Sequence, residues 1–273
     1  MKKAMQHLFT PEGEAALAAV LRLQPLMAFD FDGTLAPIVA RPDDARISAA
    51  VATRLKALAS KLPVAIVTGR AVADVRERLG FDPQFIVGNH GAEPDIASAT
   101  SGTRADALTG PLDGLRITLQ THGELLHAEG VAVEDKGLSI ALHYRLSRDR
   151  VRAQRLIADL LTPEPTGLRL FAGKMVVNAV AANAPDKAQA VHALVARLGA
   201  AAAFFAGDDV NDEPVFVAAP AHWLTLRIGR DDPASRARFC LEGPQEMAML
   251  LERVLSNLAG AGGDGSSVRR RLA

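Results

Sequence analysis

Four short apolar runs in this chain each stop at a polar segment, and helical spacing separates the first from the second. The runs are LMAF before Asp30-Phe31-Asp32, PVAIV before Thr68-Gly69-Arg70, FIVG before Asn89-His90-Gly91, and AAFFA before Gly207-Asp208-Asp209-Val210-Asn211-Asp212. Apolar runs this short, bounded by turn residues, read as strands buried on both faces, as in a parallel sheet. After the first run, Val51, Leu55, Leu58 and Leu62 recur at helical spacing behind Ser48, a suitable N-cap. After the second, AVADVRERLG reads as a helix closed by Gly80. The alternation predicts βαβ units and an α/β fold with a mainly parallel sheet.

The rhythm changes near residue 105. Residues 112–128 have helical spacing, then VAVEDK and LSIALHYR read as two strands joined at Lys136-Gly137. A helix at 148–161 follows, and LRLFAGKMVVNAV reads as two strands turning at Ala172-Gly173. This order describes a small antiparallel α+β unit. Alternation resumes with a helix at 186–199, the strands AAFFAG and HWLTLRIG, and a last helix at 244–259. The expected organisation is a core of residues 1–104 and 182–273 interrupted by an inserted domain, 105–181. The Gly/Ser-rich stretch 260–273, ending in Arg269–Arg271, is expected to be a disordered tail.

In open α/β sheets ligands bind outside the carboxyl ends of the strands, where the polar segments fall. Side chains two apart on an extended chain share a side, so Asp30 and Asp32 are expected to converge. Neighbouring carboxylates repel and are costly to desolvate, and a divalent cation relieves both problems. Either acid cluster alone could be a solvated turn, but two at strand ends of one sheet argue against that. Oxygen donors with no Cys at these positions point to Mg²⁺ rather than zinc. The single cysteine, Cys240, excludes a disulfide framework. Lys+Arg and Asp+Glu are equal at 31, so net charge gives no argument for nucleic acid or an anionic membrane. No membrane span and no signal peptide are legible, and a cytoplasmic protein is expected. Both a monomer and a dimer are compatible with this composition.

DFDGT, Thr68, Lys187 and GDDVND, in that order, resemble the four motifs of the haloacid dehalogenase superfamily, whose phosphatases have a Rossmann-like core and a mobile cap. The resemblance implies that Asp30 is the nucleophile, Asp32 the general acid and base, and Thr68 a hydrogen-bond donor to a phosphoryl oxygen. It implies that Lys187 neutralises phosphate charge, that Asp30, Asp208 and the Asp32 carbonyl bind Mg²⁺, and that Asp212 orients them. DGTLAPI, VTGR, GNHGAE, VEDKGLSIALHYR, AGKMVV and GDDVNDE further resemble trehalose-6-phosphate phosphatases. On that likeness Glu134 and Lys136 contact sugar hydroxyls. Gly69, Arg70, Asn89, His90, Gly91 and Asp209 lie near the substrate, trehalose 6-phosphate. His143, Tyr144 and Arg145 read as structural residues of a cap strand. Asn178 stands where the family has a sugar-binding Glu, and Ala-Asn-Ala-Pro-Asp precedes Lys187 in place of the usual Pro-x-Gly pattern. These departures keep open a phosphatase for another sugar phosphate, such as sucrose phosphate or a glucosylglycerol-type phosphate. A phosphomutase-like transferase and an inactive sensor or partner subunit of a synthase are further alternatives.

Overall fold

The computed structural model describes residues 5–39, 41–94, 106–230 and 232–263. Its larger sheet has eight strands in the order β1-β12-β11-β10-β2-β3-β4-β5, parallel throughout except for β5 against β4. The inner strands are β2 (Leu26–Phe29), β3 (Val64–Val67), β4 (Phe85–Gly88), β10 (Ala203–Gly207) and β11 (Leu224–Ile228). β1 (Gln6–His7), β5 (Glu93–Pro94) and β12 (Phe239–Leu241) complete it. β2 lies at the middle, between β10 and β3, and all four of its residues are buried. Phe29 of β2 meets Phe204 of β10 at 5.6 Å between ring centroids. A fully apolar strand suits this position because helices cover both faces of such a sheet.

The helices are cut where their capping residues stand. α1 (Pro11–Arg22) opens under the Thr10 hydroxyl, α2 (Ala49–Ala59) under Ser48, and α3 (Val72–Leu79) closes on Gly80 in the left-handed conformation. α7 (Lys187–Leu198) opens on Asp186 in a capping box with Gln189 and ends at Gly199. α8 (Glu213–Ala218) packs against α7, and α9 (Met247–Gly263) packs against α1 and α2. Residues 260–263, expected in the tail, therefore belong to the last helix, because apolar Met247, Leu250, Leu251 and Val254 anchor it to the core. The rest of the expected tail and the expected boundary at 104/105 lie outside the described residues.

A second sheet has four antiparallel strands in the order β6-β7-β9-β8. They are β6 (Ala132–Asp135), β7 (Ser139–His143), β8 (Leu168–Gly173) and β9 (Val176–Ala181). α4 (Asp113–Thr121), α5 (Gly123–Ala128) and α6 (Arg150–Leu160) belong to the same stretch of chain, and Leu115, Leu126, Ile140, Ile157 and Leu168 share one core. The helix expected over 112–128 is broken at His122, whose ψ of 14° interrupts the helical path before Gly123. The β8–β9 turn is Lys174-Met175, two residues beyond the expected Ala172-Gly173. Met175 takes the left-handed φ of 61°. The shift puts Lys174 at the tip of the hairpin.

Candidate active site

β2 ends at Phe29 and the chain turns at once. The Phe31 carbonyl accepts the N–H groups of Thr34, Leu35 and Ala36 at 3.3, 3.0 and 2.9 Å. Gly33 makes the turn possible: its φ is 79°, and a Cβ there would fall 2.0 Å from the Asp208 carboxylate. The two aspartates consequently part company, contrary to the extended-strand expectation. Asp30 stays buried beside the sheet, while Asp32 turns its carboxylate to Arg70, which donates from Nε at 2.7 Å and Nη2 at 2.8 Å. Arg70 also donates to Asp74 and to the Pro42 carbonyl.

Lys187 is 2% exposed and reaches Asp30 Oδ1 at 2.9 Å and Asp212 Oδ1 at 2.7 Å. A buried ammonium survives only with such partners. Burial alone would depress its pKa, but Asp212 and Asp30 hold it above the ordinary lysine range. Burial pushes Asp30 well above the usual carboxylate range, and the Asp212 and Asp208 charges add to this while Lys187 opposes it. Asp208 is raised to about 6 by burial and by Asp212, with Lys174 opposing. Lys174, from the second sheet, donates to Asp208 Oδ2 at 2.6 Å.

The carboxylate oxygens of Asp30, Asp208 and Asp212 come within 4.8 Å of one another. Three buried acids so close fit a hard divalent cation. Both Asp212 oxygens are already engaged, one by Lys187 and the other by the N–H groups of Asp208 and Asp209 at 2.9 and 3.0 Å. Asp212 therefore braces the cluster. Asp208 is engaged as well, by Lys174 on Oδ2 at 2.6 Å and by the Thr34 hydroxyl on Oδ1 at 3.5 Å, so all three acids are held in place by hydrogen bonds. The Asp32 carboxylate does not belong to the cluster.

One cleft joins the two sheets. Its walls include Asp30, Asp32, Gly69, Arg70, His90, Asp208 and Asp209 from the strand ends, Lys187 from the start of α7, and Glu134, Lys136 and Asn178 from the second sheet. Its free space is about 840 Å³, part of it open solvent. Thr68, Asn89, Gly91 and Asp212 are buried and do not line it. Asn89 is consumed elsewhere: its amide donates to Glu93 at 2.6 Å and its oxygen accepts the Ser139 hydroxyl at 2.6 Å. It ties the two sheets together rather than facing the cleft.

Glu134 accepts from His143 Nε2 at 2.8 Å and lies 3.5 Å from Lys136 Nζ. Burial works against its charge, but these two partners hold its carboxyl below the ordinary range. Lys136 Nζ also reaches the Gly69 carbonyl at 3.1 Å. Arg145 donates to the carbonyls of Val39 at 2.5 Å and Lys174 at 3.2 Å. His143 and Arg145, expected to be structural, thus line the cleft, as do Lys174 and Asn211. The two-residue alternation of LHYR carried the signal, since His143 and Arg145 share a face that Tyr144 does not. His90 sits at φ 59° with Asn178 beside its ring and the ring edge-on to Phe171 at 4.9 Å. Burial, with Lys136 and Lys187 nearby, keeps its pKa well below the usual histidine value.

A parallel α/β sheet whose central strand ends in a buried aspartate, with a lysine and further acids beside it, is the haloacid dehalogenase fold. The C-terminal domain of C. albicans trehalose-6-phosphate phosphatase superposes with a TM-score of 0.76 at 19% identity, covering 93% of this chain and 99% of that one. A trehalose-6-phosphate phosphatase related protein gives 0.69 at 23% identity, covering 87% and 99%. Within that fold the chain belongs to the trehalose-phosphatase family, whose model matches residues 28–225. The trehalose-phosphate phosphatase of Mycobacterium avium is 32% identical over 250 residues, 86% of this chain and 63% of that protein. That of Mycobacterium marinum is 31% identical over 271 residues, 95% and 67%. An uncharacterized glycosyl hydrolase of Mycobacterium tuberculosis is 33% identical over 246 residues, 86% of this chain and 18% of that protein. The chain thus spans between 18% and 67% of the length of these relatives. No helix among the described residues is long and apolar enough to cross a membrane.

Proposed function

We propose that this chain is a phosphatase that hydrolyses trehalose 6-phosphate to trehalose and phosphate in the cytoplasm, with Mg²⁺ at the acid cluster. One observation carries the reading: in a member of the trehalose-phosphatase family, the buried Asp30–Lys187 pair faces Glu134, Lys136 and Asn178 across one cleft. A polyol with a phosphate needs a nucleophile at one end and hydrogen-bonding groups at the other.

The chemistry follows from the side chains. The Asp30 carboxylate attacks phosphorus, the bond to the sugar oxygen breaks, and an aspartyl-phosphate forms. Lys187 opposes the burial that disfavours the Asp30 carboxylate and carries positive charge toward the phosphoryl group. Thr68 is buried just behind the cleft wall at Gly69, and its Oγ1 accepts the Arg70 N–H at 3.2 Å, so its own O–H meets a phosphoryl oxygen only when the substrate presses into that wall. Asp32, protonated from solvent once it leaves Arg70, gives that proton to the departing sugar oxygen, and as the resulting carboxylate takes one from the water that hydrolyses the intermediate. Its carboxylate must turn from Arg70 to do so, and Arg70 is the residue that returns it. Mg²⁺ held by Asp30, Asp208 and the Asp32 carbonyl would offset the charge of the cluster and attract a phosphoryl oxygen. Residues 105–181 act as a cap: Glu134, Lys136 and the imidazole of His90, all of which line the cleft, meet the sugar when it closes.

Asn178 favours a second reading, a phosphatase for a different sugar phosphate, because an amide offers one acceptor oxygen and no charge where the family has Glu. Phosphate release from a panel of sugar phosphates with Mg²⁺ decides between them. Trehalose 6-phosphate should be hydrolysed fastest. Preference for sucrose phosphate or a glucosylglycerol-type phosphate would install the second reading, and isomer formation without phosphate release would replace hydrolysis by a transferase.

A further inference from the structure

Glu134 and Lys136 lie two apart on β6 and its continuation, so they share one side of the strand, and Asp135 between them points to the other. On that other side stands Arg116 of α4. Its Nε donates to Asp135 Oδ2 at 2.7 Å, and its Nη2 donates to Asp135 Oδ1 at 3.2 Å and to the Gly137 carbonyl at 2.8 Å. Its Nη1 donates to Asp113 at 2.7 Å and to the Thr109 carbonyl at 3.3 Å, which anchors the guanidinium to its own helix. Asp135 Oδ1 also accepts the Gly137 N–H at 2.9 Å. One planar group therefore grips the residue before Lys136 and the residue after it.

The rest of β6 is weakly held. It is the outer strand of its sheet, pairs only with β7, and all four of its residues are exposed. Two ties join this part of the cap to loops of the larger sheet: Lys136, just past β6, on the Gly69 carbonyl, and Ser139, the first residue of β7, on Asn89. Those ties cross between the two sheets and must yield if the cap opens, whereas the Arg116 contacts lie within one cap and can persist.

We infer that Arg116 is a positioning residue for substrate recognition: by clamping Asp135 and the Gly137 carbonyl it fixes the direction in which Glu134 and Lys136 enter the cleft. The inference rests on the proposed reading that these two residues meet the sugar. Exposed ion pairs contribute little to global stability, and the Arg116 and Asp135 side chains are 28% and 43% exposed. Loss of Arg116 should consequently weaken recognition without much change in melting temperature.

The test is kcat and KM of the full chain and of Arg116→Met, Arg116→Lys, Lys136→Ala and the Arg116→Met/Lys136→Ala double variant, on trehalose 6-phosphate and on p-nitrophenyl phosphate. Arg116→Met should lower kcat/KM for the sugar phosphate about five- to tenfold, mostly through KM, and change the generic substrate by less than about twofold. Arg116→Lys should recover part of the loss, since an ammonium keeps the charge without the fork. The double variant should lose less than the product of the two single losses, because Arg116 acts in part through Lys136. Equal losses on both substrates, or additive losses in the double variant, would overturn the positioning role and leave the phosphatase reading standing. A wild type that handled no sugar phosphate better than p-nitrophenyl phosphate would overturn both.

Discussion

At the scale of single residues the account turns on Asp30. Its replacement by Asn removes the nucleophile and a charge from the acid cluster while preserving shape, so turnover should vanish at every Mg²⁺ concentration in steady-state assays. Near-normal rates would move the nucleophile elsewhere. Asp32→Asn should leave a phospho-enzyme that decays slowly, because the water-activating base is gone. Recognition should be unequal. Glu134 presents a carboxylate braced by His143 and Lys136, and hydrogen bonds to charged groups contribute about 1.5–3 kcal/mol. Glu134→Ala is expected to lower kcat/KM for trehalose 6-phosphate about tenfold or more, and Asn178→Ala clearly less, with p-nitrophenyl phosphate indifferent to both. A Glu134→Ala loss shared equally by both substrates would make it a structural residue.

Among the elements, α7 joins fold to chemistry most directly. Lys187 is its first residue, and a cation at a helix N-terminus is unfavourable to the macrodipole. The Asp186 capping box, with Asp186 Oδ1 accepting the Gln189 N–H at 2.8 Å, holds the helix start in place against that cost. Asp186→Ala should lower stability by about 0.5–2 kcal/mol in denaturant titrations and reduce kcat more than KM, since it loosens the base of Lys187. Unchanged stability would show that Lys187 and its acids define the helix start by themselves. The element scale also separates what the sequence discloses from what it hides. β2, β3, β4 and β10 were legible because each is a short apolar run, and the polar segments at their ends because they follow those runs. β1, β5 and β12 were not, since strands of two or three residues exist only through pairing with neighbours. The swing of Asp32 to Arg70 and the reach of Lys174 to Asp208 join residues 38 and 34 positions apart, so no local pattern could announce them. Asn89 misled because its polar, strand-end position is the same whether it meets a ligand or, as here, Ser139 and Glu93.

For the molecule as a whole, two predictions concern cation and cap. Asp208 has its pKa raised from an ordinary 3.8 to about 6, so the folded, cation-free protein holds a proton there that the unfolded chain releases. Its contribution to stability is present below the lower value and is lost as pH rises toward the upper one. Mg²⁺ needs the ionised carboxylate and must displace that proton at low pH. The rise in melting temperature caused by Mg²⁺ should therefore be small at about pH 5 and larger near neutrality, a trend that scanning fluorimetry reads directly. A pH-independent rise would place the cation away from Asp208. Lys136, Arg145 and Lys174 reach across to oxygens of Gly69, Val39 and Asp208, in the segments that follow strands of the larger sheet. A substrate analogue and Mg²⁺ should compete for these contacts and change the cap position, measurable by small-angle scattering with and without the analogue. Identical profiles would count against a moving cap.

The most direct test of phosphoryl transfer to Asp30 is to quench the chain in acid during turnover of trehalose 6-phosphate, with Asp32→Asn to prolong the intermediate, and to map the modified peptide by mass spectrometry. One phosphoryl group on the peptide carrying Asp30, absent from Asp30→Asn, is the predicted result. Phosphate release with no phosphorylated peptide, or a phosphoryl group on any other residue, would contradict it.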